Sequence, residues 1–252
     1  MEKIAHLLYT ISMTADEKLK TARFIDLAAD SLLSGYRSPA KDYQFCDDET
    51  QPTGTVKKEN SLVQIAADIS SCKNCSLCET RKNAVPGEGA PQPLVMVIGE
   101  GPGADEDATG RPFVGKAGQL LDRMLDSIGL NRDKNCFIAN VIKCRPPNNR
   151  DPLPEETAAC AQFLFRQIKL LQPKIILCVG RICAQFLLKT TEPLNAMRGK
   201  DLKLATEDAI IPILVTYHPS ALLRNEELKR PAWEDLKLLR ARLEHAQPPV
   251  GW

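Results

Sequence analysis

Apolar residues fall along this chain in two patterns, short unbroken runs and longer stretches at helical spacing. Residues 94–98, 136–142, 175–179 and 211–216 are unbroken or nearly so, the form taken by strands covered on both faces of a parallel sheet. Between them the spacing changes. Leu62, Val63, Ile65, Ala66 and Ile69 suit a short helix, and Leu120, Leu121, Met124, Leu125 and Ile128 share one helical face closed by Gly129. Residues 154–171 open on Pro-Glu-Glu, with acids in the first turn as the helix dipole prefers. A further helix follows Gly180 to about residue 188, and two more follow His218-Pro219, the second running from near Pro231 to His245. Strands alternating with helices predict a three-layer α/β/α fold around a central four-stranded parallel sheet.

The first sixty residues behave differently. Residues 1–36 carry a weak helical pattern, with Ile4, Leu7, Leu8 and Ile11 on one face. Residues 37–60 are polar, with Pro39, Pro52, Gly54 and the acidic group Asp47-Asp48-Glu49, and read as a linker. The expected organisation is a helical N-terminal extension and linker over 1–60, open to a protein partner, and one α/β domain over 61–252. The net charge of +1 confines any basic surface to a local patch. No apolar run approaches the ~20 residues that span a bilayer, and no secretory signal is expected at the N-terminus. Nine cysteines without such a signal suggest thiols or metal ligands in a reducing cytoplasm.

The chemistry gathers at strand ends. After the first strand, Gly99, Gly101, Gly103 and Gly110 punctuate a loop that also holds Asp105, Glu106, Asp107 and Phe113. Gly99, Gly101 and Ala104 fit a dinucleotide fingerprint. However, three carboxylates follow at once and Pro102 lacks an N–H, which suits a neutral ligand edge or a cation better than a pyrophosphate. Asn140 ends the second strand at the same sheet edge, and its amide offers a donor and an acceptor to a base edge. A strand-end asparagine closing a turn is an equal reading. His218 follows the fourth strand beside Leu222, Leu223 and Arg224, an apolar wedge next to a phosphate-binding cation. Lys143, Arg145, Arg150, Arg198, Lys200, Lys229 and Arg230 are candidates for a basic groove. Cys72 and Cys75, with Cys144 and Cys160 beyond the second strand, suit an iron–sulfur cluster or tetrahedral zinc. A redox pair or scattered buried thiols are the plainer readings. Cys78 repeats the C-x-x-C spacing, while Cys136, Cys178 and Cys183 fall on core faces.

The segments Gly-Glu-Gly-Pro-Gly-Ala-Asp-Glu-Asp, Gly-Arg-Pro-Phe-Val-Gly-Lys-Ala-Gly-Gln-Leu-Leu, Asn-Val-Ile-Lys-Cys-Arg-Pro-Pro-Asn-Asn-Arg and His-Pro-Ser-Ala-Leu-Leu-Arg occur in this order. Together they resemble the family 4 uracil-DNA glycosylases, bacterial and archaeal repair enzymes. The resemblance runs from about residue 65 to residue 245. It implies a uracil-DNA glycosylase-like fold and a [4Fe–4S] cluster held by Cys72, Cys75, Cys144 and Cys160, with Cys78 outside the ligand set. It also implies a uracil pocket formed by Glu100, Gly101, Glu106, Phe113, Asn140 and His218. The implied reaction flips uracil out of DNA and hydrolyses its N-glycosidic bond, with His218 assisting the leaving base and Glu106, then Glu100, as first choices for handling water. Related families place Asp or Asn where Gly101 stands, so the water-handling group is open. The expected partner is uracil-containing DNA, with no membrane, and the expected state is a monomer. A non-catalytic iron–sulfur DNA-binding module associated with replication or repair is the competing reading.

Overall fold

A computed structural model of the protein describes residues 61–246. The helix and linker expected over 1–60, with Cys46, lie outside them. In chain order the described elements are α1 (Leu62–Ser71), α2 (Leu77–Thr80), β1 (Glu88–Gly89), β2 (Val95–Gly99), α3 (Ala104–Thr109) and α4 (Lys116–Asp126). There follow β3 (Cys136–Asn140), α5 (Pro154–Leu171), β4 (Ile175–Val179), α6 (Arg181–Leu188) and α7 (Leu194–Met197). The domain ends with β5 (Leu202–Ala205), β6 (Ile210–Thr216), α8 (Pro219–Arg224) and α9 (Lys229–Ala246).

The sheet order is β1-β3-β2-β4-β6-β5. The four central strands are the four expected ones and run parallel. Two antiparallel edge strands extend the expected four-stranded sheet to six: β1 pairs with β3 and β5 with β6. The apolar pattern does not reveal them because β1 has two residues and β5 is mostly exposed. Every residue of β2, β3 and β4 is buried, as their unbroken apolar runs require.

Alternate residues of the strands face two helical layers. Met96, Ile98, Ile176 and Ile213 pack against Ile65 and Ile69 of α1, Leu164 and Ile168 of α5, and Leu187 of α6. Val95, Val97, Leu177 and Leu214 pack against Leu121 and Leu125 of α4 and Leu236 and Leu239 of α9. Period-two alternation therefore places each strand between two apolar layers. No helix among the described residues is long and apolar enough to cross a membrane.

Buried ion pairs anchor the segments that leave the sheet. Glu156, in the first turn of α5, accepts from the Leu153 N–H at 2.8 Å and from both terminal nitrogens of Arg150 at 2.8 and 2.6 Å. At the exit of β6, Asp235 of α9 accepts from Thr216 Oγ1 at 2.7 Å and from Arg198 at 2.8 and 3.0 Å. Arg198 also donates to the Tyr217 hydroxyl at 3.0 Å. Charge-assisted bonds of this kind are shorter and stronger than neutral ones, so the chain on either side of the last parallel strand is tied to α9.

Gly118 is buried in the first turns of α4, where a Cβ would overlap the Phe113 backbone carbonyl. Gly118→Ala is expected to lower unfolding free energy by about 3 kcal/mol, read from urea denaturation. A loss below about 0.5 kcal/mol, the range of neutral surface changes, would show that the carbonyl is not held there.

Candidate active site

Because β2, β3, β4 and β6 run parallel, their carboxyl ends share one edge, the usual location of ligand sites in open α/β sheets. Asn140, the last residue of β3, stands in register with Gly99, the last residue of β2. A Cβ on Gly99 would lie 2.5 Å from Asn140 Oδ1 and 2.6 Å from Phe113 Cζ, closer than packed carbons approach. The bare glycine thus lets the amide and the ring meet over the strand end. Asn140 is 1% exposed, and its Oδ1 is buried without a hydrogen-bond partner. Such an orphan acceptor costs roughly 1–3 kcal/mol, a cost that a ligand N–H would relieve.

Phe113 reaches this place through a left-handed backbone, with φ of 52°, an uncommon conformation for a bulky residue. Arg132 holds it there. Its guanidinium donates to the carbonyls of Pro112 at 3.1 Å and Phe113 at 3.0 Å, and is itself held by Asp122 and Glu88. Nothing in the sequence pattern singled out Arg132, because its acceptors are backbone atoms about twenty positions away.

The Phe113 and His218 rings lie 5.6 Å apart at 34°. His218 caps α8. Its Nδ1 accepts from the Ser220 N–H at 3.1 Å, with Ser220 Oγ at 2.8 Å, which leaves the ring proton on Nε2. Burial pushes the imidazole pKa down to about 4, the Arg224 charge adds to the fall, and Glu106 opposes it. His218 is therefore a neutral Nε2–H donor at physiological pH. The unfolded chain binds more protons than the folded one between about pH 4 and the ordinary value of 6.5. Stability from this group is consequently lost as pH falls through that window.

The carboxylates of the glycine loop divide their work. The expected loop forms a short helix, α3, and Glu106 lies in its first turn. Glu106 Oε1 accepts from the Val114 and Gly115 amides at 2.9 and 3.0 Å, and Oε2 accepts from Gly103 at 3.1 Å. Glu106 thus braces the loop that carries Phe113, with both oxygens engaged. Asp107 is buried and accepts from the Lys82 amide at 2.9 Å. Glu100 has no such restraint. Burial and nearby Asp151 raise its pKa above the usual carboxylate range, against the pull of Arg181. The Gly101 α-carbon faces Ile142, whose Cγ1 would lie 2.7 Å from an added Cβ. Ile142 thus occupies the space a side chain at position 101 would need.

The expected wedge is narrower than the sequence suggests. Leu222 is 2% exposed and packs with Tyr217 and Ala232, because α8 turns that face inward. Leu223 is 48% exposed and stands beside Arg224. The basic groove is thinner too. Lys143 is buried, Arg150 and Arg198 serve the ion pairs described above, and Lys200 and Lys229 pair with Glu192 and Glu226. Among the described residues, Arg145, Arg224 and Arg230 carry no ion pair.

On the α1 and α5 side of β3, Cys72, Cys75, Cys78, Cys144 and Cys160 line one small cavity. Cys144 Sγ accepts from Arg81 at 3.0 Å, Cys160 Sγ from the Lys143 N–H at 3.3 Å, and Cys72 Sγ from the Asn74 N–H at 3.5 Å. Burial pushes Cys160 up to about 11 and raises Cys75 and Cys144 as well. A bound cationic centre would hold these sulfurs as thiolates at neutral pH. Among the described residues, no three His, Cys, Asp or Glu side chains converge as a single-ion site. Soft sulfurs lining one cavity, with N–H donors aimed at three of them, have the donor chemistry of an iron–sulfur site. Cys136, Cys178 and Cys183 lie in the core, as their apolar neighbours predict.

Comparison with known proteins identifies the family. The sequence model of the uracil DNA glycosylase superfamily matches residues 86–237. A type-4 uracil-DNA glycosylase of Sulfurisphaera tokodaii is 45% identical over 186 residues, covering 72% of this chain and 84% of that protein. A type-4 enzyme of Archaeoglobus fulgidus is 40% identical over 194 residues, 75% of this chain and 97% of its own. One from Pyrobaculum aerophilum is 44% identical over 174 residues, 68% of this chain and 88% of its own.

The neutral state of His218 is directly measurable. Nitrogen-15 NMR of the imidazole is expected to show one tautomer protonated at Nε2, unchanged from pH 8 to about pH 5. A midpoint near the ordinary histidine value of 6.5 would contradict the buried, Nδ1-accepting geometry.

Proposed function

The chain belongs to the type-4 uracil-DNA glycosylases, and from that membership we propose how its pocket removes uracil from DNA. The observation that carries the proposal is the orphan acceptor of Asn140, which shares the space over Gly99 with the Phe113 ring, itself 5.6 Å from the ring of a neutral histidine.

A uracil turned out of the duplex enters the sheet edge with its face on Phe113. Its N3–H donates to Asn140 Oδ1, and its O4 accepts from the Asn140 amide nitrogen. In the bond-breaking transition state negative charge develops on O2 and positive charge on the sugar. His218 Nε2–H donates to O2, and because the imidazole is already neutral it stabilises the leaving anion without giving up its proton. A preorganised donor of this kind is typically worth about 3–4 kcal/mol. Glu100, free of the backbone contacts that occupy Glu106, orients the attacking water and offsets the sugar charge. Glu106 acts as a brace for Phe113. Leu223 fills the gap left in the stack, with Arg224 on a flanking phosphate. The product is an abasic site, the substrate of the later steps of base excision repair.

Cys72, Cys75, Cys144 and Cys160 would hold a [4Fe–4S] cluster in the cavity that they line. Bound there, the cluster supplies iron–sulfur bonds that cross-link the segment after α1, the loop after β3 and helix α5. Of these, the loop after β3 directly follows Asn140.

Cleavage of an oligonucleotide carrying one uracil tests the proposal. The purified protein is expected to leave an alkali-labile site, which a non-catalytic binding module would not do. His218→Ala is expected to slow single-turnover cleavage by about 10²–10³-fold, with DNA binding retained. Asn140→Ala is expected to weaken inhibition by free uracil more than it weakens DNA binding. Near-normal cleavage by His218→Ala would overturn the assignment.

A further inference from the structure

Lys143 is 1% exposed and among the largest fully buried side chains described. No carboxylate faces it. Its ammonium donates to the Asn140 backbone carbonyl at 2.9 Å and to Gln167 Oε1 at 2.7 Å. The Gln167 amide nitrogen in turn donates to the Pro86 carbonyl at 2.8 Å. The backbone of Lys143 is equally committed, with its N–H on Cys160 Sγ at 3.3 Å and its carbonyl accepting from Val85 at 2.8 Å. Burying an ammonium without a carboxylate partner costs several kcal/mol. A methionine would fill much the same space without that cost. A charge kept under such conditions has a task that packing alone would not require.

The task follows from where the ammonium points. The peptide linking Asn140 to Val141 is held from both ends. Its carbonyl accepts from Lys143, and its N–H donates to the Gly99 carbonyl at 3.0 Å. Fixing that peptide plane fixes the Asn140 backbone, and with it the direction of the side chain whose oxygen has no partner. We infer that Lys143 is a positioning residue for uracil recognition, acting through Asn140 and tying its placement to the Cys160 helix and the Pro86 segment. The inference rests on the proposed reading of Asn140 as the residue that pairs with uracil. Displacements of about 1 Å at a reacting site can cost on the order of a hundredfold in rate, so one hydrogen bond behind the pocket can matter kinetically.

A double-mutant cycle tests it, using the cluster-containing full chain. Lys143→Met and Asn140→Ala are made singly and together, and single-turnover cleavage, inhibition by free uracil and the visible absorbance of the cluster are measured. Lys143→Met is expected to lower cleavage efficiency on the order of tenfold and to weaken uracil inhibition, with the absorbance per protein retained. In the Asn140→Ala background the same change is expected to cost roughly twofold or less, because the group it acts through is gone. Equal losses in both backgrounds, or loss of the absorbance together with activity, would overturn the inference. Should Lys143→Met fail to fold, Gln167→Met removes the second acceptor of the ammonium and is put through the same cycle. A smaller loss that vanishes beside Asn140→Ala supports the inference, and an additive loss overturns it. If Asn140→Ala alone leaves cleavage and uracil inhibition unchanged, the pocket reading itself fails and the inference falls with it.

Discussion

A side chain at position 99 would place its first carbon 2.5 Å from Asn140 Oδ1 and 2.6 Å from Phe113 Cζ. The pocket therefore depends on β2 ending in a residue that occupies almost no space, since neither neighbour could stay where it is otherwise. The strand pairing brings Asn140 to that point, because Gly99 and Asn140 are partners across β2 and β3. Phe113 comes from elsewhere, on a left-handed backbone whose carbonyl is held by the Arg132 guanidinium and whose next N–H is held by the Glu106 carboxylate. His218 arrives from the far end of the parallel set, positioned by the cap of α8 and by the buried ion pair under β6. Remote restraints thus converge on a small volume at one sheet edge.

Much of the polar chemistry in this domain is structural support. Glu106, Asp107, Glu156, Asp235, Arg132, Arg198 and Lys143 are all committed to backbone atoms or to one another. At the sheet edge, among the described residues, the Asn140 oxygen is unpaired and the His218 Nε2–H and the Glu100 carboxylate are only weakly restrained. Buried polar groups are normally satisfied, so an exception beside a stacked aromatic marks where a ligand belongs. The same reasoning separates Glu100 from Glu106, two carboxylates on one short segment. Backbone amides already occupy both oxygens of the second.

The parallel strands were legible in the sequence because strands buried on both faces must be apolar at every position. Residues 175–179 match the observed β4 at both ends, and the other three runs match within two residues at each end. The edge strands were not legible, because a strand with one partner need not be apolar throughout. The residues now at the site, Asn140, Phe113 and His218, stood out through their positions at strand ends and in a glycine loop, and through the family resemblance. Their supports did not. Lys143 and Arg150 looked like surface cations because a sequence does not show that an α5 glutamine or glutamate lies opposite. Leu222 and Leu223 looked equivalent until the pitch of α8 turned one inward and the other outward. In each case the missing information was a partner distant in sequence.

If one orphan oxygen defines the pocket, its ligand must bring a donor to it. The most direct measurement is the affinity of the protein for free uracil against 3-methyluracil, by calorimetry or by inhibition of cleavage. Methylation removes the N3–H that would satisfy Asn140 Oδ1 and leaves the ring face and O2 intact. The account requires 3-methyluracil to bind at least about tenfold more weakly, the effect of stranding a buried acceptor. Equal affinity for the two bases would contradict it.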